Sequence, residues 1–595
     1  MSAAPISAAS FVQIVAQAET LGSGRGLPAV IALYTQWIAA QPAQEPNLFA
    51  AWFNLGTELG QARAVTEAMG AYRHALRLKP DFHGAAVNLG LLLERDGQPE
   101  AALRTWFQAT QPDEARIALL NQRARLLEQM GRLHDAADCL RQSLLADPAQ
   151  PDAIQHWLHL RQRMCHWPVL AEDIPGLNSV ALLARSGPLA ALALTDDVSV
   201  QTRVAGDWIA RKVPPAPVRL APEDGYGHAR IRVGYLSSDF CSHAMSYLIA
   251  ELFERHDRAR FEVIGYCSSP DDGSEIRARI LAAFDQVHPI RDLTDEQAAR
   301  RIRQDEIDIL IDLNGLTAGA RIGVLRWRPA PVQATYLGFI GPVPLPELDY
   351  LLCDSFVVPA ETAAAYQPRP LPIAGLYQAN DSRRDIAAPM TRAEAGLPDD
   401  VYVFCCFSNH YKITQAMFAA WIAILRQVDG SVLWLAEDNE WSRQSLRVQA
   451  LGAGIDPDRL IFAPRVAPSV YMARMALADL FLDTFPYNAG TVASDALRMG
   501  LPLLTLAGQS FASRMAARLL QAIGAEAGIA ASPDEYIAKA VMLAKDPATH
   551  AAYRACFTPD AWSATIGDSE GFTRRFEDVL SSVIHHPLPA EAAEA

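Results

Sequence analysis

Apolar positions along the chain follow two regimes. Up to about residue 150 they recur at helical spacing, with no alternating, strand-like stretch. Within that region Asn54-Leu55-Gly56 returns as Asn88-Leu89-Gly90, 34 residues on, and Gly97 returns as Gly131 at the same offset. ALRLKP (75–80) is echoed at twice that period by SLLADP (143–148). A 34-residue period with small residues at fixed places, a Gly turn in mid-repeat and a closing Pro is the tetratricopeptide pattern. It predicts repeats over 1–150: three clear units, 48–81, 82–114 and 115–148, and a degenerate one over 11–42. A single helix pair cannot bury its apolar face, so neighbours stack into a superhelix with a concave surface. Asn54 and Asn88 fall on the first helix of their pairs. There a carboxamide can lock both edges of an extended peptide, which makes them candidate acceptor-binding residues. The alternative is that they only hydrogen-bond the neighbouring repeat.

After Pro151 the period is lost. Residues 151–228 keep helical spacing and then thin into VPPAPVRLAPEDGYG, a connector and linker by composition. From Ile231 short apolar runs (IRVGYL, FEVIGYCSS, DILIDLNG) alternate with amphipathic stretches. A second such series starts at Val401 (VYVFCCF, SVLWLA, RLIFAP, LFLDTF, PLLTL). Strands and helices alternating at this spacing predict parallel sheets covered on both faces. The expected fold class is therefore α/β with all-α N-terminal repeats. The two Rossmann-like domains are expected over 229–385 and 386–585, joined near 370–398, with a tail at 586–595.

Composition narrows the function classes. A formal charge of −15 argues against nucleic acid and anionic membrane as partners, since an acidic surface repels phosphates at long range. The eight cysteines show no CxxC spacing, so reduced thiols are expected, with Cys405 and Cys406 buried in a strand. The N-terminus has no basic residue ahead of its apolar ones, and no run is long enough to span a bilayer. A cytoplasmic location is expected.

Open α/β sheets bind ligands at the carboxyl ends of their strands, so chemistry is sought there. FPYNAGTVASDALRMG (485–500) places Gly490, Thr491 and Ser494 where a strand gives way to a helix, whose unpaired N–H groups and dipole suit phosphate. Lys412, in SNHYK after VYVFCCF, can set an ammonium on a diphosphate. Tyr471 and Arg474, on the helix after RLIFAP, can flank a flat base. Together they describe a nucleoside diphosphate site. The chain lacks a GxxxxGK[ST] loop and a GxGxxG turn, which argues against an ATPase and a nicotinamide dehydrogenase.

Several long motifs then resemble one family, the tetratricopeptide-type O-linked N-acetylglucosamine transferases and their bacterial relatives. They are RIRVGYLSSDFxxH (230–243), FEVIGYCSSPDDGS (261–274), DILIDLNGLTAGAR (308–321), RPAPVQATYLGF (328–339), LDYLLCD (348–354), CCFSNHYKI (405–413), SVLWL (431–435), LFLDTFPYNAGTVASDAL (480–497) and MCHWPVL (164–170), the last expected to be helical. The resemblance implies an inverting GT-B transferase that needs neither metal nor cofactor and moves a sugar from a nucleotide, UDP by expectation, to a protein side chain. His243 matches the family's active-site histidine and Lys412 its diphosphate lysine. Asn409, Thr491 and Asp495 match donor-binding positions, with Asp495 on ribose. Gly490 stands at a donor position too, Tyr471 and Arg474 border the base, and Leu337 with Gly338 line the donor. Departures cluster on the sugar side: Ala244 replaces the usual Pro, GFIGPVPLPELD lacks a GTSG-like run, and Gly490 and Val492 replace His and Thr. The expected function is transfer of N-acetylglucosamine or a related sugar to Ser/Thr of a polypeptide recruited by the repeats. The alternatives are hexose transfer to Asn, another sugar placed on flagellin or a surface protein, and a catalytically silent scaffold.

Overall fold

The structure is a computed structural model describing residues 9–24, 26–108 and 113–585; the expected tail, 586–595, lies outside the described residues. It divides into two compact units, one running to residue 160 with 172–177, the other comprising 161–171 and 178 onward.

The first unit is a run of helix pairs: Phe11–Gly24 with Leu27–Ala40, Leu48–Gln61 with Val65–Leu78, His83–Arg95 with Pro99–Gln108, and Asp113–Gln129 with Leu133–Ala146. The recurrence of Gly56 and Gly90 has a steric cause. A Cβ at Gly56 would come within 2.8 Å of the Tyr72 ring, and one at Gly90 within 2.1 Å of Trp106, so each glycine lets the second helix of its pair lay an aromatic ring against the first. Asn54 Nδ2 donates to Tyr34 Oη at 3.1 Å and Asn88 Nδ2 to Tyr72 Oη at 3.2 Å, each in the preceding unit. Each carboxamide thus commits one N–H to the neighbouring repeat and keeps a second.

The second unit holds two parallel sheets. The first contains β1 (Ile231–Ser237), β2 (Phe261–Cys267), β3 (Gln286–Pro289), β4 (Ile309–Asp312), β5 (Val332–Thr335), β6 (Tyr350–Cys353) and β7 (Arg369–Pro372), in the order β3-β2-β1-β4-β5-β6-β7. The second contains β8 (Val403–Cys406), β9 (Val432–Ala436), β10 (Leu460–Ala463), β11 (Leu480–Leu482), β12 (Leu503–Leu506) and β13 (Ile529–Ala530), in the order β10-β9-β8-β11-β12-β13. The order reverses between β1 and β4 and between β8 and β11. At such points neighbouring loops diverge and open a crevice. Inner strands such as β4, β8 and β12 are buried on both faces, which is why their sequences are continuous apolar runs; Cys405 and Cys406 lie in such a run, fully buried.

Within residues 151–228, expected as a helical connector and linker, helices Pro188–Leu194 and Val198–Lys212 bury Leu192, Val198, Ala205 and Ile209 in one core with Leu236, Ile264 and Leu310. The Pro-rich stretch is pinned where Leu220 and Ala221 N–H donate to the carbonyls of Trp327 and Arg328, both at 2.9 Å. Three expectations are corrected. MCHWPVL is not helical, because its helix ends at Arg163; Cys165 is buried and Trp167 meets Phe418 at 5.6 Å. Pro370 lies not in a joint but in β7, an edge strand, where a residue without an N–H is tolerated. Lastly, helix Ser569–His585 leaves the second sheet and lays Phe572, Phe576, Leu580 and Val583 into the core of the first, beside Val233 and Tyr235. Glu577 there accepts from Asp257 N–H at 2.8 Å and pairs with His256 at 3.0 Å. Among the described residues no helix is long and apolar enough to cross a membrane.

Candidate active site

At the switch point of the second sheet, β8 feeds a short 3₁₀ turn, His410–Lys412, and β11 feeds the loop to Gly490. Asp483 organises that loop. Its buried carboxylate accepts from the N–H groups of Thr484 and Ala489, both at 2.8 Å, and from Thr505 Oγ1 at 2.7 Å. The chain therefore curls back, and its Asn488 carbonyl accepts from Lys412 Nζ at 3.0 Å while the Tyr487 ring lies 3.6 Å beneath the ammonium. Burial draws the Lys412 ammonium down to about 8 and pushes the Asp483 carboxyl up to about 7, each opposed by the other's charge.

Gly490 then caps helix Thr491–Arg498 with no side chain to offer. Among the described residues the N–H groups of Thr491, Val492 and Ala493 have no hydrogen-bond partner. An amine tethered to Asn488 and the bare helix start that follows in the same loop are the elements an anion needs. Asn409 is exposed at the head of the 3₁₀ turn. Asp495, a turn further along the helix, is ion-paired to Arg384 at 2.5 Å, and Ser494 Oγ donates to Asn380 Oδ1 at 2.6 Å.

Tyr471 is partly exposed and meets Phe407 at 6.1 Å. Arg474, expected to border the base, is held by its own turn. Only 6% exposed, it donates to the Pro464 carbonyl at 2.8 Å and lies over Trp434, so it braces the turn after β10.

At the switch point of the first sheet, His243 caps helix Ala244–Arg255 and is half exposed. Its Nδ1 accepts from Met245 N–H at 3.3 Å and lies 3.5 Å from Asp239 Oδ2. Two tautomers compete. With Nδ1 accepting from Met245, the proton sits on Nε2; with Nδ1–H turned to Asp239, Nε2 is free to take a proton. Asn314 holds Asp239 in place: its Nδ2 donates to Asp239 Oδ2 at 2.6 Å, while its Oδ1 accepts from Ser238 N–H at 2.8 Å. Burial raises the Asp239 carboxyl, and His243 opposes the rise.

Leu337 and Gly338 lie just past β5. Leu337 adopts φ 68°, a left-handed conformation rare outside glycine, and a Cβ at Gly338 would fall 1.9 Å from the Leu313 carbonyl oxygen. Gly338→Ala is therefore expected to destabilise by about 1–3 kcal/mol or more. Gly452→Ala, with nothing within 4 Å, is expected to be close to neutral. Midpoints of thermal unfolding for the two variants check this.

Four residues of these two sites stand outside the sequence expectations. Asp239 and Asp483 lie inside quoted motifs, where a strand-terminal acid gives no sign of what it will face. Asn314 follows β4, and Arg384 lies in the stretch read only as a joint. Among the described residues no cluster of three His, Cys, Asp or Glu side chains is placed to hold a metal ion.

Comparison with known proteins agrees with this geometry. The family described as Glycosyl transferase family 41 matches residues 215–374 and 377–574, and a tetratricopeptide repeat matches 117–150. The chain is 33% identical to the probable UDP-N-acetylglucosamine–peptide N-acetylglucosaminyltransferase SEC of Arabidopsis thaliana over 65% of its own length and 42% of that protein's. It is 26% identical to the UDP-N-acetylglucosamine–peptide N-acetylglucosaminyltransferase of Caenorhabditis elegans over 60% of its length and 41% of that protein's. The chain thus spans about two fifths of the curated relatives it matches. In fold it is similar to a mutant of the Thermobaculum terrenum O-GlcNAc transferase, with a TM-score of 0.66 at 24% identity over 91% of this chain and 98% of that one. That likeness fits the GT-B pairing of the two sheets behind helical repeats. With the family spanning both sheets and the loops at both switch points, the chain belongs to glycosyl transferase family 41.

Proposed function

We propose that the chain is a protein glycosyltransferase that moves a sugar from a nucleoside diphosphate, UDP-N-acetylglucosamine by analogy with the names of its relatives, to a Ser or Thr hydroxyl of a polypeptide recruited by the repeats. The observation that carries it is Lys412 held on the Asn488 carbonyl beside the three unpartnered N–H groups at the start of helix Thr491–Arg498. In an inverting displacement the acceptor oxygen bonds to the anomeric carbon as the bond to the diphosphate breaks, so negative charge builds on the departing phosphate. Lys412 and the helix start neutralise that charge without a divalent ion. The acceptor's proton passes to His243 when its Nδ1–H faces Asp239.

The test is intact-mass analysis of a candidate acceptor protein co-expressed with the full chain. An added mass equal to one N-acetylhexosamine per site is expected, mapped to Ser or Thr. A hexose on Asn instead would overturn the sugar and the linkage. An unmodified panel of acceptors, together with no hydrolysis of UDP-N-acetylglucosamine, would favour a silent scaffold.

A further inference from the structure

Arg384 has no part in the mechanism just described, yet it is the side chain that joins its two halves. It is 10% exposed, with Nη1 on Asp495 Oδ1 at 2.5 Å and its guanidinium 5.1 Å over the Tyr247 ring. Tyr247 stands on helix Ala244–Arg255, which His243 caps, and Asp495 on helix Thr491–Arg498, whose start is the candidate diphosphate seat. Among the described residues Asp495 Oδ2 takes no hydrogen bond, so the carboxylate has one oxygen engaged and one available. The single Nη1–Oδ1 contact, from a guanidinium resting over Tyr247, tethers one carboxylate oxygen and supplies its counter-charge.

We propose that Arg384 is a positioning residue of the donor site: by holding Oδ1 of Asp495 while its own guanidinium rests over Tyr247, it presents Oδ2 to a hydroxyl of the donor's ribose. The proposal rests on the reading that helix Thr491–Arg498 seats a nucleoside diphosphate. The charged and titratable groups facing Asp495 are Arg384, Arg498 and Tyr471. Burial raises the Asp495 carboxyl, and the Arg384 guanidinium opposes that rise more strongly than Arg498 does. Without Arg384 the carboxyl loses its chief counter-charge and holds its proton to higher pH.

The experiment is calorimetric binding of UDP and of inorganic pyrophosphate to the full chain and to its Arg384→Met and Arg384→Lys variants. Arg384→Met is expected to weaken UDP about tenfold or more near neutrality while leaving pyrophosphate, which has no ribose, unchanged. Relative to the parent at the same pH, its UDP affinity should recover as pH rises, because without its chief counter-charge the Asp495 carboxyl holds its proton to higher pH. Arg384→Lys keeps the counter-charge but loses the planar guanidinium that rests over Tyr247. It should bind UDP more weakly without acquiring the pH dependence, and it decides the matter if the Met variant does not fold. UDP affinity equal to the parent's in both variants overturns the proposal alone. An equal loss for pyrophosphate overturns it too, since Arg384 would then meet the phosphates itself. A parent chain that binds no UDP overturns the donor-site reading and this proposal with it.

Discussion

Lys412→Ala is expected to lower the rate of sugar transfer by about 10²–10³-fold, the cost of about 2.7–4 kcal/mol seen when one well-placed donor is removed from a developing anion. The reasoning is geometric. Lys412 Nζ is anchored to the Asn488 carbonyl, a residue of the loop that delivers the bare helix start at Thr491, so the ammonium is tethered to that loop before any ligand arrives. Orientation in place before reaction separates transition-state stabilisation from mere attraction, and the loss should fall mainly on kcat. Burial depresses the Lys412 ammonium to about 8, so in the unliganded chain its charge is present below that pH and lost as pH rises through it. Donor affinity of the parent should therefore fall between about pH 7 and about pH 9, and that of Lys412→Ala should not. Transfer by the alanine variant at the parent's rate would remove Lys412 from the chemistry.

His243→Ala is expected to abolish most transfer, by about 10²-fold or more, while UDP affinity stays within about threefold of the parent. The separation follows from position. His243 caps a helix of the first sheet, on the other domain from Lys412 and Thr491, and its ring addresses Asp239 and Met245 rather than any donor-side group. Asp239→Asn offers a finer reading of the same site. It keeps the shape but removes the charge that favours Nδ1–H, so transfer should fall while donor binding holds. Steady-state transfer measured beside UDP calorimetry checks both variants. A fall in UDP binding that matches the fall in transfer would place His243 on the donor instead.

Much of this was legible in the chain because buried parallel strands must be continuous apolar runs and helix pairs must repeat. IRVGYL, DILID and VFCC announced β1, β4 and β8, and the Asn-Leu-Gly recurrence announced the close packing of Gly56 and Gly90 on aromatic rings. Lys412 and Thr491 were visible because both directly follow such runs. Short edge strands were not: QVHP of β3 and RPLP of β7 have too few apolar residues to show a period, and their pairing is set by the sheet beside them. Nor could a local pattern tell which sheet an amphipathic helix will cover. The apolar stripe of Ser569–His585 is plain in sequence, but its partners Val233 and Tyr235 lie more than three hundred positions away. Arg474 shows the converse limit, since the sequence gives no sign that a cation near a binding loop also donates to a carbonyl of its own turn.

The return of Ser569–His585 also bears on how the molecule is made. The first sheet is translated before the second, but Phe572, Phe576, Leu580 and Val583, which complete its core, are made only after the second sheet has been. Its apolar face must wait through synthesis of the entire second sheet before it is closed, a non-local pairing that slows folding and leaves a sticky intermediate in the meantime. Nascent chains stalled before residue 569 should therefore be the ones that recruit chaperones.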